Sequence, residues 1–297
     1  MQKLNEEYKT WLKTLGFADS SVKSFPMYTA EMLHCFEIKG IKGITAETIQ
    51  GFFFQWKERK NKRTGAGLSQ HHINKGITAI NNFIKFLKVT GKQPIELKLE
   101  REKIQNKIPQ VLTLEELQSL YEATHNNIKK VNTSAYGQRD RAMLAVYYGC
   151  GLRRNEGNNL LISDILMEKK LIYVRKGKGS KERFVPIADK GIQDIQEYLN
   201  YGRKYFLEPR QKQNKPESEH FFINIEGEPM HNFTARIRQL KEVSGIQTNI
   251  SLHTFRHSIA THLLQQGMDI EQIKKFLGHA SLESTQLYTH IINEYEF

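Results

Sequence analysis

Two cysteines, Cys35 and Cys150, are all the thiols in 297 residues, too few for a disulfide framework. No apolar run approaches the length of a membrane span, and no charged-then-apolar leader opens the chain. The expectation is a cytosolic, reducing location without membrane association. Prolines number only seven, and neither an internal repeat nor a low-complexity tract interrupts the sequence. Acidic residues are the minority, 32 Asp and Glu against 44 Lys and Arg, for a net charge of +12. The imbalance is local. Residues 1–109 hold 19 basic and 10 acidic side chains, net +9, and residues 110–297 hold 25 and 22, net +3. A basic first third suits a surface that tracks a polyanion, because neutralised phosphates release condensed counterions. Charge alone also fits a basic protein that is merely soluble.

What is present is a globular composition, 39% hydrophobic and 10% aromatic, in a length that suits about two domains. Leu4, Tyr8, Trp11, Leu12 and Leu15 fall at helical spacing up to Gly16. Ser20-Ser21 starts a second helix through Phe36, and Thr45 a third through Trp56. The basic loop 57–67 follows, with Lys57, Arg59, Lys60, Lys62 and Arg63 as candidate phosphate contacts, although an ordinary solvated turn reads the same way. From Ser69 a helix aligns Ile73, Ile77, Ile80, Ile84 and Leu87 as a core stripe. Residues 99–109, charged and closed by Pro109, read as a linker between a helical domain, 1–98, and a second domain, 110–297. In the second domain, Thr113-Leu114-Glu115-Glu116 has the capping-box pattern, and a helix over 139–148 ends at Gly149-Cys150-Gly151. Residues 171–175 and 183–187 are β-type runs around Lys176-Gly177-Lys178-Gly179-Ser180-Lys181, a hairpin signal. From Asn232 the pattern is helical again, with breaks at Gly245, Gly267 and Gly278.

Four segments hold polar residues that are odd as fold-makers: Gly151-Leu152-Arg153-Arg154-Asn155-Glu156, Lys178 at the hairpin tip, His253-Thr254-Phe255-Arg256-His257, and Leu277-Gly278-His279 ahead of Tyr288. Each alone has an ordinary reading. An arginine near a helix end neutralises carbonyls, a lysine at a hairpin tip is solvated, a histidine caps or packs, and Tyr288 is one of twelve tyrosines. Together they supply what metal-free phosphodiester chemistry needs. His253 and Arg256, three apart, share a helix face that Ser251 can cap, near the end that favours a phosphate. Attack on a phosphodiester builds charge on the non-bridging oxygens, which arginine forks and imidazole N–H groups stabilise. Tyrosine is a competent nucleophile once a neighbour takes its proton, and lysine suits protonation of the departing sugar oxygen. A metalloprotease helix would need Glu after His253, a P-loop would need Ser or Thr at Gly179, and a metal-dependent nuclease would need clustered carboxylates.

The order Gly-Leu-Arg-Arg-Asn-Glu, Gly-Lys-Gly-Ser-Lys-Glu-Arg, His-Thr-Phe-Arg-His, Leu-Gly-His and Tyr-Thr-His resembles the tyrosine recombinase (phage integrase) family, and its Xer-like members most closely. The likeness runs from about Leu112 to His290, and the helical first third resembles the family's core-site-binding domain. It implies a mostly α fold with a small antiparallel sheet, a two-domain C-shaped DNA clamp with an α+β catalytic domain. It further implies that Arg153 and Arg256 are the catalytic arginines, Lys178 the acid for the leaving 5′ oxygen, His253 and His279 the active-site histidines, Tyr288 the nucleophile and Glu156 their acidic support. Cleavage would leave a 3′-phosphotyrosine and pass through a Holliday junction without ATP, cofactor or metal. The implied partners are a double-stranded recombination site, a homotetramer on two such sites and, where activation is needed, an accessory protein or partner recombinase. The protein would act in the cytoplasm on the nucleoid, in chromosome dimer resolution or mobile-element integration and excision. A non-catalytic, sequence-specific DNA-binding protein on the same fold is the alternative, favoured if Tyr288 or an arginine were missing, and none is. Arg154, Asn155 and Gly157 depart from the family's usual small residue, Ser and Leu around Glu156, and Gly157 is expected to loosen the helix behind Arg153.

Overall fold

Helices begin where side-chain oxygens replace missing carbonyls. In a computed structural model that describes residues 1–35, 40–61, 65–104, 109–125, 133–175 and 182–278, Thr45, Ser69, Thr113 and Ser251 each accept the N–H three residues on, and each starts a helix. At Thr113 the box closes as the sequence predicts, with Glu116 Oε2 accepting the Thr113 N–H at 3.0 Å. Two units emerge, Met1–Lys107 and Ile108–Phe297.

In the first unit, α1 (Gln2–Thr14), α2 (Asp19–Cys35), α3 (Ala46–Glu58) and α4 (Gln70–Val89) enclose a core of their own. The stripe Ile73, Ile77, Ile80, Ile84 and Leu87 is buried, and the Tyr8 hydroxyl donates to Ala79 O at 2.9 Å beneath it. Residues beyond α4 also belong to this unit. Asn81 and Asn74 each exchange two hydrogen bonds with extended backbone, at Leu99 and Glu102, so this stretch lies along the helix.

The second unit starts with α5 (Leu114–Ala123) and α6 (Thr133–Leu144). A π-helical turn, Ala145–Gly149, extends α6 and delivers the chain to α7 (Arg154–Asn158). Strands β1 (Ile165–Leu166), β2 (Leu171–Val174) and β3 (Arg183–Pro186) form an antiparallel sheet in that order, with Ile172 opposite Val185 and both fully buried. The other face carries the Tyr173–Phe184 pair, ring centroids 5.2 Å apart. Helices α8 (Asp189–Glu197), α9 (Arg203–Gln211), α10 (Thr234–Ser244), α11 (Leu252–Gln265) and α12 (Ile270–Leu277) complete the unit around Tyr147, Tyr198, Phe221, Phe222 and Phe233. The fold is therefore mostly helical with one small antiparallel sheet, as the sequence leads one to expect. Two details differ. Helix α6 begins six residues before the predicted start, because its first turn, Thr-Ser-Ala-Tyr-Gly-Gln, carries too few apolar side chains to show a helical period. Strand β1, two residues long, is too short to alternate. No helix among the described residues is long and apolar enough to cross a membrane.

Candidate active site

Both candidate arginines, Arg153 and Arg256, meet at the C-terminal end of α12. That end is made by Gly278, whose φ of +66° ends the helix in the left-handed region and leaves its last carbonyls without helical partners. Three successive carbonyls there are taken by three arginines from different parts of the chain. Arg183 Nε donates to Phe276 O at 3.1 Å, Arg256 Nη2 to Leu277 O at 2.7 Å, and Arg153 Nη2 to Gly278 O at 2.7 Å. Cations suit this end because the helix dipole is negative there.

Each arginine is also held from behind. Arg256, 4% exposed on α11, gives Nη1 to Gly151 O at 2.5 Å. Gly151 is the last residue of the Gly-Cys-Gly break, its φ of +58° turns the chain out of the π-helical turn, and a Cβ there would lie 2.8 Å from Leu277. Arg153 precedes α7 and gives Nη1 to Glu156 Oε1 at 2.9 Å, while its backbone N–H reaches Glu156 Oε2 at 2.9 Å. Glu156, its side chain 7% exposed, accepts a second fork: Arg183 Nη1 to Oε1 at 3.0 Å and Nη2 to Oε2 at 2.9 Å. Burial by itself would raise the Glu156 pKa, but the Arg183 fork and charge, then the Arg153 N–H and side chain, overturn it and hold the carboxyl at about 2. Since that value is depressed, the stabilisation it gives is present above the ordinary Glu range and is lost as pH falls toward 2.

His253, exposed near the start of α11, sits in a positive field. Partial burial first, then Arg256, Arg154 and Arg153, keeps its pKa below the usual imidazole value, so it is neutral at pH 7 and able to take up or give a proton. His257, one residue past Arg256, is pushed down to about 4 by burial and then by His253 and Arg256. The cap that sequence reading places at Ser251 is present and reciprocal: Thr254 N donates to Ser251 Oγ at 3.2 Å and Ser251 N to Thr254 Oγ1 at 3.1 Å.

The structure thus brings together Arg153, Glu156, His253 and Arg256. Lys178, His279 and Tyr288, with Lys62 and Arg63 of the basic loop, lie outside the described residues. In the first unit Arg59 pairs with Glu31 and lies 5.5 Å over the Trp56 ring, and Lys57 stands 3.5 Å from Glu102. Arg59 and Lys60 border a depression of about 560 Å³ that reaches Ser69 at the start of α4. Arg183 lies at the end of the Gly-Lys-Gly-Ser-Lys-Glu-Arg motif, and the sequence alone points to no role for it. The one signal it offers is an arginine opening a strand of otherwise apolar pattern. Among the described residues no group of three or more His, Cys, Asp or Glu could hold a metal ion.

Gly157, expected to loosen α7, does something else. A Cβ at that position would lie 2.5 Å from the Tyr147 ring, which is fully buried, stacked on Phe222 and tied by its hydroxyl to Asn158 Oδ1 at 2.7 Å. The ring occupies the space a side chain would need, so the backbone behind Arg153 is packed. Gly157→Leu should lower unfolding free energy by about 1–3 kcal/mol, the scale of an overpacked core, with most of it regained in Gly157→Leu/Tyr147→Leu. Urea unfolding of the three proteins measures it, and an unchanged midpoint in the single variant would mean that the ring yields freely.

Comparison with known proteins places these features in context. The model of the phage integrase family matches residues 110–294. The chain is 30% identical to tyrosine recombinase XerD of Halalkalibacterium halodurans, over 93% of this chain and 88% of that protein. It is 32% identical to tyrosine recombinase XerC of Oceanobacillus iheyensis, over 90% and 83%. Its fold is like that of the XerH site-specific recombinase bound to palindromic difH substrate in a post-cleavage complex, with a TM-score of 0.68, 21% identity, and coverage of 92% of this chain and 77% of that one.

Proposed function

The chain belongs to the phage integrase family and is a site-specific tyrosine recombinase, and we propose that Tyr288 is its nucleophile and that Arg153 and Arg256 flank the phosphate it attacks. One observation carries the assignment: both arginines converge on the end of α12, from which the chain runs directly into the segment bearing His279 and Tyr288. Tyr288 Oη attacks the phosphorus, the bond to the 5′ oxygen breaks, and Lys178 protonates that oxygen, leaving a 3′-phosphotyrosine and a 5′-hydroxyl. A guanidinium has five N–H donors, so the bonds from Arg153 to Glu156 and Gly278 fix its plane while further donors face the phosphate oxygens. His253, neutral at pH 7, and His279 are the imidazoles able to take or return the tyrosine proton.

The phosphotyrosyl bond conserves the energy of the broken diester, so religation to a second strand needs neither ATP nor metal. Lys57, Arg59, Lys60, Lys62 and Arg63 belong to the surface that tracks the DNA backbone, and the exposed pair of Arg59 with Glu31 is weak enough to exchange for a phosphate. Four copies on two sites would exchange strands one pair at a time through a Holliday junction, in the cytoplasm on the nucleoid. Chromosome dimer resolution, with a partner recombinase or accessory protein, and mobile-element integration or excision are the two roles that this chemistry serves. A non-catalytic binder is disfavoured because the relatives are recombinases over most of the chain.

The test is a nicked duplex, drawn from the protein's own genomic neighbourhood by footprinting, that traps the intermediate. A protease-sensitive adduct on a 3′ end, formed equally well in EDTA, is the expected result. A strict metal requirement, or footprinted DNA that never acquires an adduct, would overturn the reading.

A further inference from the structure

Arg183 is buried too deeply to meet DNA, its side chain 9% exposed, yet all three of its nitrogens are committed. Nη1 and Nη2 fork onto Glu156, and Nε holds the carbonyl of Phe276. It fills the space over Gly278, where a Cβ would lie 2.9 Å from its side chain. It also opens β3, the strand that follows the hairpin segment containing Lys178.

We infer that Arg183 is a positioning residue for strand cleavage, one that sets Arg153 through Glu156 and fixes the α12 end from which the nucleophile segment departs. This rests on the recombinase reading above. Arg153 alone makes a poor anchor for itself: its side chain is 32% exposed and gives Glu156 a single Nη bond. The carboxylate that orients it is kept in place, and ionised, chiefly by the second arginine. Among the described residues the charged groups that act on Glu156 are Arg153 from its own turn and Arg183 from β3, while α12 presents carbonyls to both arginines. Without Arg183, burial would be opposed by Arg153 with neither the fork nor the charge of Arg183, so the Glu156 pKa would rise, and protonation would loosen its hold on Arg153. Arg183→Lys would return the charge but not the fork.

The experiment compares the unmutated protein, Arg183→Met and Arg183→Lys by three measurements: gel-shift affinity, single-turnover cleavage of a nicked substrate from pH 5 to 9, and 13C NMR titration of the Glu156 carboxyl without DNA. Arg183→Met should bind DNA within about threefold and cleave about 10–100-fold more slowly at pH 7, the scale of a misplaced reacting geometry. Its loss of rate should deepen toward pH 5, in step with protonation of the Glu156 carboxyl, an acid limb that a carboxyl held at about 2 does not give the unmutated protein in this range. Arg183→Lys should restore the pH profile and part of the rate. An unmutated rate and profile in Arg183→Met overturns the inference. So does an equal loss at every pH that Arg183→Lys does not repair, since that marks a purely structural residue. If the unmutated protein forms no adduct, the recombinase reading fails instead, and the NMR titration still decides whether Arg183 holds Glu156.

Discussion

Tyr288→Phe is expected to bind its DNA site with unchanged affinity and to leave no protein attached to it. The substitution removes one hydroxyl and no charge, so the electrostatic attraction to phosphates is preserved while the bond-forming oxygen is gone. Loss of covalent adduct should be complete, beyond any factor expected from disturbed positioning. Denaturing gels of nicked-substrate reactions, run with and without protease, read the adduct directly, and gel shifts read the affinity. Adduct in the Tyr288→Phe protein would move the nucleophile elsewhere, with Tyr295 the nearest other tyrosine.

Arg153→Ala and Arg256→Lys should each slow cleavage by about 10²–10³-fold or more, the usual cost of one preorganised donor to a developing negative charge. The two substitutions differ because the surroundings do. Arg256 is nearly inaccessible and holds both Gly151 O and Leu277 O, so truncating it would leave buried carbonyls unpaired and confuse folding with chemistry. Lysine keeps its charge and loses its planar fork. Arg153 is more exposed, and Glu156 keeps its fork from Arg183 when Arg153 is truncated. Single-turnover cleavage at saturating protein separates these losses from changes in binding. A normal rate in Arg153→Ala would overturn the proposed active site.

Much of this molecule is legible in its sequence. The Ser and Thr caps at Thr45, Ser69, Thr113 and Ser251 announce helices locally, and the isoleucine stripe of α4 announces its buried face. The small sheet shows in the β-type runs on either side of a glycine-rich stretch of sequence. Other features have no periodicity to read. The backbone at Leu99 and Glu102 lies against α4 through asparagine side chains, a pairing set by tertiary contact alone. Arg183 stands in plain view beside the hairpin, but its reason is Glu156 and Phe276, 27 and 93 positions away. Gly157 looks like a weakness until the Tyr147 ring is placed beneath it. Lys178, His279 and Tyr288 rest on motif order and family membership, since they fall outside the described residues.

The arginine-held end of α12 also sets a timetable. Arg153 and Gly278 are 125 positions apart, and Gly151 and Arg256 are 105 apart. At about 5–20 residues per second of ribosomal synthesis, about 6–25 s separate the appearance of Arg153 from that of the carbonyl it binds. During that interval the basic first unit and the loose arginine are already made, while the frame that aims the arginine is not. Cutting competence is the last property the growing chain acquires, and a product terminated before α12 carries the basic unit without the chemistry.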